Sequence, residues 1–403
     1  MATIQLIRSE AAEPYPKRAQ RFYRPELDAL RFFAFLAVYV CHSIPNSLVA
    51  VGTSGNEGIG IAFLAAIKDA GNFGVCLFFL LSAFLITELL RREDEAYGPI
   101  DIGSFYLRRI LRIWPLYFGI TVAYWLGGYF FPALRLEPGR IISYFLLAGN
   151  WYIALHPLIR TPLRSLWSIS VEEQFYLAWP LLAHYGSMRT LVKVSLGLVP
   201  LSLLTIYVVS SDKNYAHNTV WVNSFTQFQF FAWGALLALA LDGKALRIDK
   251  VLRAAMWVVG IILWMFAADA IKIKRAGVDV PSSQYCFGYL LVAAGSMLLL
   301  LAVLGISAGR VPRWAAYLGK ISFGLYVFHE TAFLIADKVQ KHTAGYVPST
   351  GLWPAQDSLT LLALNKIFAL GLTVLLAVSS YHFWEAPFLR LKERFTWVRS
   401  REV

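Results

Sequence analysis

An arginine and a histidine, Arg31 and His42, sit in a stretch that is otherwise largely apolar, RPELDALRFFAFLAVYVCH, residues 24–42. Asp28, Arg31, Phe35, Val38 and His42 are spaced 3, 4, 3 and 4, which puts them on one stripe of a helix. At about 1.5 Å per residue, Arg31 and His42 lie roughly 16 Å apart along it. An ionisable group within a membrane span costs roughly 2.5–3.5 kcal/mol on insertion scales, so its retention points to a function or a partner. A guanidinium fork binds phosphate oxygens in pairs, and an imidazole can serve as base or nucleophile. The plainer reading is a polar stripe that joins helices, with Asp28 and Arg31 as an interfacial ion pair. Cys41 beside His42 is not read as a nucleophile, because adjacent helical residues point about 100° apart.

Four further groups carry chemistry. FYLRRILRIWPLYF, residues 105–118, sets Arg108, Arg109 and Arg112 beside Trp114, Pro115 and Tyr117. Arg108 and Arg112 are i,i+4 and share a helix face, where two forks suit a pyrophosphate or a 3′-phosphate. Alone, such a cluster reads as a topology anchor beside an aromatic belt. Beside a buried Arg31, it reads as a phosphate site. In residues 72–92, Ser82 and Ala83 are small enough for close helix approach, and Ser82 is also a candidate contact to the cofactor. In LWSISVEEQFYLAWP, residues 166–180, Glu172 and Glu173 are candidate acid–base groups, with Trp167 a candidate acceptor contact. Ser168, Glu172, Tyr176 and Trp179 form the more polar face, which favours Glu172. The alternative is a hydrated pair near Arg164. In ISFGLYVFHE, Ser322, Tyr326 and His329 (or Glu330) follow one face, with Tyr326 and His329 as candidate acceptor contacts. His329 should lie at mid-depth, like His42.

These residues must be positioned by membrane helices. The chain has 403 residues, 58% hydrophobic and only 15% charged, with a net charge of +12. Soluble domains carry about 25% charge, and apolar runs of about 20 residues recur along the whole length. The expected fold is an all-α, polytopic transmembrane bundle. The positive excess lies mostly in short loops, where it sets topology and need not imply nucleic acid. The three cysteines, Cys41, Cys76 and Cys286, lack metal-like spacing, so neither a disulfide nor a metal site is expected. Residues 1–26 are polar, contain Pro14, Pro16 and Pro25, and show no cleavable signal pattern.

Eleven apolar runs can be drawn, at about 27–50, 72–91, 113–132, 141–155, 166–186, 190–210, 219–242, 251–270, 285–308, 316–338 and 358–384. The run at 141–155 is short and broken by Asn150 and His156-Pro157, so it is read as re-entrant or interfacial. Ten spans remain, with both termini and the loop at 243–253 cytoplasmic. One loop, with Lys272, Lys274 and Arg275, falls outside against the charge rule. The expected segments are a cytoplasmic stretch 1–26, a transmembrane domain 27–388 and a basic cytoplasmic tail 389–403.

Six segments in order resemble the acyltransferase-3 family of membrane O-acyltransferases: ELDALRFFAFLAVYVCH, FFLLSAFLIT, FYLRRILRIWPLYF, LWSISVEEQFYLAWP, ISFGLYVFH and SSYHFWEAPFLRLKERF. Ala29 and Ala83 stand where the family usually has Gly, Phe323 replaces a frequent Tyr, and His382 a frequent Arg. The resemblance implies acyl transfer from cytoplasmic acyl-CoA, here expected to be acetyl-CoA, to a hydroxyl of an extracytoplasmic glycan. It carries Arg31, His42, Arg108, Arg109 and Arg112 over as functional positions, and with them Glu172 and Glu173. It further implies a multi-pass protein of a bacterial inner membrane, in a form without the appended hydrolase-like domain of some relatives. His42 would take the acceptor's proton, or be acylated first and pass the group on. Two rivals compete. In a proton-coupled or anion transporter, Arg31, His42, Glu172 and His329 would line a path, but the arginine cluster is one-sided and no inverted repeat is visible. A glycosyltransferase would need a metal–nucleotide site, and no Asp-x-Asp pair occurs. The oligomeric state and the acyl group are not legible.

Overall fold

The computed structural model describes residues 5–7, 22–45, 59–156, 159, 161–212, 217–273, 280–344 and 359–396. Within them the chain is helical almost throughout: α1 (Pro25–Ser43), α2 (Ile59–Gly71), α3 (Gly74–Tyr97), α4 (Ile102–Phe130), α5 (Pro138–Phe145), α6 (Gly149–Leu155), α7 (Trp167–Tyr185), α8 (Met188–Ser211), α9 (His217–Val222), α10 (Ser224–Leu241), α11 (Lys250–Asp269), α12 (Ser282–Val303), α13 (Arg313–Lys320), α14 (Ser322–Ala344), α15 (Leu359–Ser380) and α16 (Ala386–Glu393). Its two short strands, Gln5–Ile7 and Ala245–Arg247, pair antiparallel.

Seven helical stretches among the described residues are long and apolar enough to cross a membrane, Phe63–Tyr97 and Thr360–Glu393 being the longest. The chain is thus a multi-pass, all-α integral membrane protein. The helices α1, α7 and α14 are not among the seven. They are diluted by Glu26, Asp28 and Arg31, by Glu172 and Glu173, and by Glu330, Asp337 and Lys338. These three helices carry Arg31, His42, Glu172, His329 and Glu330, while Ser82 sits on α3 and Arg108, Arg109 and Arg112 on α4.

The run at 141–155 is broken, but at 146–148 and not at Asn150, which lies within α6. It forms α5 and α6, of 8 and 7 residues, about 12 and 10 Å long, against a hydrocarbon core of about 30 Å. Leu147 turns the hairpin with φ +55°. Gln174 of α7 steadies it, donating to the Leu147 carbonyl at 3.1 Å and to Asn150 Oδ1 at 3.0 Å. Three runs divide differently from the sequence reading, one of them at 219–242, which is α9 and α10 parted at Asn223 (φ −67°, ψ 125°). The helix α2 precedes the run at 72–91, where Gly60, Lys68 and Asp69 had masked its continuity. The run at 316–338 is two helices, parted at Ile321 (φ −95°, ψ 12°). Lys274, Arg275, Arg399, Arg401 and most of the 1–26 segment lie outside the described residues.

The first helix is gripped from two sides. Pro25 fits its first turn, Glu26 and Asp28 complement the N-terminal dipole, and His42 closes the last turn. A Cβ on Gly319 of α13 would lie 1.7 Å from the Asp28 carbonyl oxygen, and one on Gly74 of α3 would lie 2.4 Å from that of Ala34. Neither backbone leaves room for a methyl group. Gly319→Ala is expected to cost about 1–3 kcal/mol through overpacking. It should lower the thermal midpoint of the detergent-solubilised protein, whereas Gly197→Ala, facing open space, should not.

Candidate active site

The stripe on α1 forms as its spacing requires. Phe35 and Val38 are buried, while Arg31 and His42 are partly exposed at its two ends. His42 meets α14. Its Nδ1 lies 2.8 Å from His329 Nε2 and 3.1 Å from Glu330 Oε1. The two imidazoles stack with centroids 5.1 Å apart and planes 10° apart. Phe35 closes the His329 ring edge-on at 6.3 Å. His329 is fully buried, and its Nδ1 donates to the Tyr326 carbonyl at 2.6 Å. Arg164, on the turn before α7, binds Glu330 through Nε at 3.1 Å and through Nη2. Arg164 therefore pairs with Glu330 and not with Glu172 or Glu173, which removes the reading of those two as a hydrated interfacial pair beside it. His42, His329 and Glu330 are also three donors whose atoms lie within 4.8 Å of one another. The guanidinium on the same Glu330 oxygen stands where a metal cation would meet like charge.

Two cavities lie at the Arg31 end of α1, and neither is lined by His42, His329 or Glu330. The outer one, about 930 Å³, is lined by Arg24, Arg31, Arg108, Arg109, Arg112 and Lys392, against the carboxylates of Asp28 and Glu93. Six cations against two carboxylates make this mouth a strong attractor for a polyanion. Arg109 Nε is buried with no hydrogen-bond partner among the described residues. Its guanidinium rests over the rings of Phe105 and Tyr176, 5.4 and 5.3 Å from their centroids. The inner cavity, about 640 Å³, shares Arg31, Ser82, Arg109, Arg112 and Tyr176 with the outer one. It continues between Phe78, Phe79, Ile169, Phe323 and Tyr326. The passage is thus cationic at its mouth and apolar further in. Its Tyr326 wall is three residues, about 4.5 Å of rise, before His329 on α14.

The neighbouring carboxylates divide. Glu172 lines the inner cavity and accepts from Ser82 and Tyr176. Glu173 points away, buried, and accepts from Trp114 Nε1 at 2.9 Å. Of the expected polar face, Ser168, Glu172 and Tyr176 line the inner cavity, whereas Trp179 lines neither cavity and donates to Thr87 Oγ1 at 2.9 Å. Glu172 thereby joins Arg31, Arg109 and Arg112, while the His42 cluster has its own carboxylate in Glu330. Ser82 does more than permit helix approach: it lines both cavities. The Tyr326 hydroxyl lies 2.8 Å from Ser168 Oγ and donates to the Ser165 carbonyl at 3.2 Å. Trp167 lines neither cavity. It packs in the aromatic core, 6.3 Å from Phe79 and 5.9 Å from Trp221 between centroids.

Arg108 reaches the outer cavity but is already engaged. Its Nη2 contacts Glu93 Oε1 at 2.7 Å, and its Nη1 donates to the Phe395 carbonyl at 2.9 Å. The C-terminal helix α16 lies against α4, and Lys392 and Thr396 complete the rim of the mouth. Sequence reasoning missed Glu330 as a partner of His42, and Arg164 as the partner of Glu330. A carboxylate next to a mid-helix histidine was the available signal for Glu330. For Arg164 there was none, because its partner lies 166 residues away.

The fold is a polytopic helical bundle in which a cationic cavity joins a partly apolar one, with the His42–His329 pair further along α1 and α14. The chain matches the acyltransferase domain family (acyltransferase-3) over residues 24–382 and belongs to that family. It is similar to "Putative peptidoglycan O-acetyltransferase YrhL" of Bacillus subtilis (strain 168), with 25% identity over 396 residues, 93% of this chain and 56% of the relative. It is also similar to O-acetyltransferase OatA of Staphylococcus aureus (strain NCTC 8325 / PS 47), with 26% identity over 406 residues, 92% of this chain and 58% of the relative. The chain thus spans under three-fifths of the length of these relatives. No solved structure matches it.

Proposed function

We propose that this chain is an acetyl-CoA-dependent O-acetyltransferase whose acceptor is a hydroxyl of an extracytoplasmic glycan of the peptidoglycan class. The observation that carries the reading is the passage: Arg31, Ser82, Arg109, Arg112 and Tyr176 belong to both cavities and join the cationic mouth to the more apolar section lined by Tyr326, three residues before His329. In this reading Arg31, Arg109 and Arg112, with Lys392 at the rim, hold the phosphates of CoA. Glu172 fixes Ser82 and Tyr176 at the waist. The pantetheine arm runs past Phe78 and Tyr326 toward His42. His42 takes the proton of the acceptor hydroxyl while its oxygen attacks the thioester carbonyl. The C–O bond forms, the C–S bond breaks, and the proton on the imidazolium passes to the departing CoA thiolate. Glu330, 3.1 Å from Nδ1, offsets the transient positive charge. The acetyl group and the acceptor class follow the names of the relatives.

The test is turnover by the purified full chain. Supplied with acetyl-CoA and soluble peptidoglycan fragments, it should release CoA as a thiol in step with acetyl ester formation. A transporter built on the same charges would release none.

The reading requires the arginine mouth to be cytoplasmic, and with it the ten-span arrangement. Cysteines introduced at Arg140 and Lys244 test this with a membrane-impermeant thiol reagent on intact cells. Position 140 is buried, so a second cysteine at the exposed Pro138 guards against silent shielding. Labelling at 138 or 140 but not at 244 is the expected result. Labelling at 244 alone inverts the topology and removes cytosolic CoA as donor.

A further inference from the structure

We infer that His329 and Glu330 are positioning residues that hold His42 with its hydrogen on Nδ1, so that the lone pair of Nε2 is the reacting atom. The inference rests on the reading of His42 as the base for acyl transfer, and it assigns roles that the family motif on α1 does not contain.

The assignment starts from the Tyr326 carbonyl, which can only accept. The 2.6 Å contact to it from His329 Nδ1 therefore places a hydrogen on that nitrogen. A second proton on His329 would put a charge on a fully buried ring whose Nε2 is 3.7 Å from the Glu330 oxygen, too far for a hydrogen bond. Charging a buried ring is costly, and a hydrogen on His329 Nε2 would make His42 Nδ1 the acceptor and leave its lone pair facing the Glu330 carboxylate at 3.1 Å, so His329 Nε2 keeps its lone pair and accepts. The atom 2.8 Å away is His42 Nδ1, which must donate. That same Nδ1 faces a second acceptor, Glu330 Oε1, at 3.1 Å. Both neighbours of Nδ1 thus call for a hydrogen there. A neutral imidazole has one ring proton, and Nε2 of His42 is left bare.

The relay is directional. The backbone of α14 fixes His329, and His329 fixes the tautomer of His42. Glu330 also supplies charge: when Nε2 accepts a proton, the carboxylate is already beside the ring, its orientation held by Arg164. In an apolar bundle such a prearranged countercharge does not have to reorganise as the proton moves.

The experiment separates the inference from the reading beneath it. His42→Ala is measured first, by CoA release from acetyl-CoA with peptidoglycan fragments. If it stays active, His42 is not the base, and the inference falls with that reading. If it is dead, the variants at 329 decide. His329→Gln keeps a side-chain carbonyl able to accept from His42 Nδ1, and His329→Ala does not. The expected result is a fall in kcat of about 10²-fold for His329→Ala, at least a tenfold recovery in His329→Gln, and an unchanged KM for acetyl-CoA in both. Glu330→Gln, which keeps an acceptor but loses the charge, should also lower kcat at constant KM. Equal losses in the two His329 variants, or losses confined to KM, overturn the tautomer assignment. Where His329→Ala does not fold, ¹⁵N-histidine spectra of the full wild-type chain decide, with His42 assigned by its absence in His42→Asn. A protonated Nδ1 and bare Nε2 support the assignment, and the reverse pattern overturns it. Stoichiometric zinc in the purified protein, with activity lost to a chelator and restored by zinc, also overturns it, since Nδ1 would then be a metal ligand.

Discussion

His42→Ala is expected to reduce acetyl transfer by at least the roughly 10²–10⁴-fold that a positioned base contributes, while the protein still folds and binds acetyl-CoA. Folding should survive because the substitution leaves no carboxylate stranded. Glu330 keeps both contacts to Arg164, and His329 keeps its bond to the Tyr326 carbonyl. The ring lost is only partly buried, with 21% of its side chain exposed. The measurement pairs CoA release with acetyl-CoA affinity by calorimetry on the same preparation. Transfer near the wild-type rate in a variant that binds acetyl-CoA normally would remove His42 from the chemistry.

The double replacement Arg109→Ala with Arg112→Ala is expected to weaken acetyl-CoA binding by about 10²–10⁴-fold, at roughly 1.5–3 kcal/mol for each charge-assisted contact. Both side chains line both cavities, and Arg109 Nε has no partner among the described residues. Arg108→Ala should cost less than either replacement alone. Its guanidinium is held by Glu93 and the Phe395 carbonyl, so its removal first loosens the chain end over the mouth. Calorimetry on the full chain distinguishes the three. Unchanged affinity in the double variant returns the whole cluster to a topology anchor. A loss from Arg108→Ala equal to that from the pair makes Arg108 a phosphate ligand in its own right.

The sequence was informative where periodicity decides. The 3, 4, 3, 4 spacing put Arg31 and His42 on one helix stripe, and in the structure Arg31 lines both cavities while His42 meets His329 at the other end of α1. The polar face was legible in part for the same reason, since Ser168, Glu172 and Tyr176 line the cavity and Trp179 does not, and the shortness of the run at 141–155 showed in its length, though not the place of its break. What was not legible is contact between distant helices. Arg108 and Arg109 are alike in sequence, yet one is tied by Glu93 and the other faces the cavity. Trp167 stood at the start of a motif and turned out to pack against Phe79 and Trp221. Periodicity says which residues share a face but not what that face meets.

The contact between His42 and His329 spans 287 positions of chain, and this has a consequence for biogenesis. At about 5–20 residues per second, roughly 15–60 s separate the synthesis of the two histidines. Throughout that interval α1 is present without the helix that receives its histidine, and without Gly319, which presses on its Asp28 carbonyl. A first helix bearing Glu26, Asp28 and Arg31 pays the insertion penalty of ionisable groups alone. It therefore depends on its early neighbours, α2 and α3, to stay in place until α13 and α14 emerge. Chains that terminate before α14 would carry an unmatched charged helix in the bilayer, and membrane quality-control proteases would meet them as incomplete.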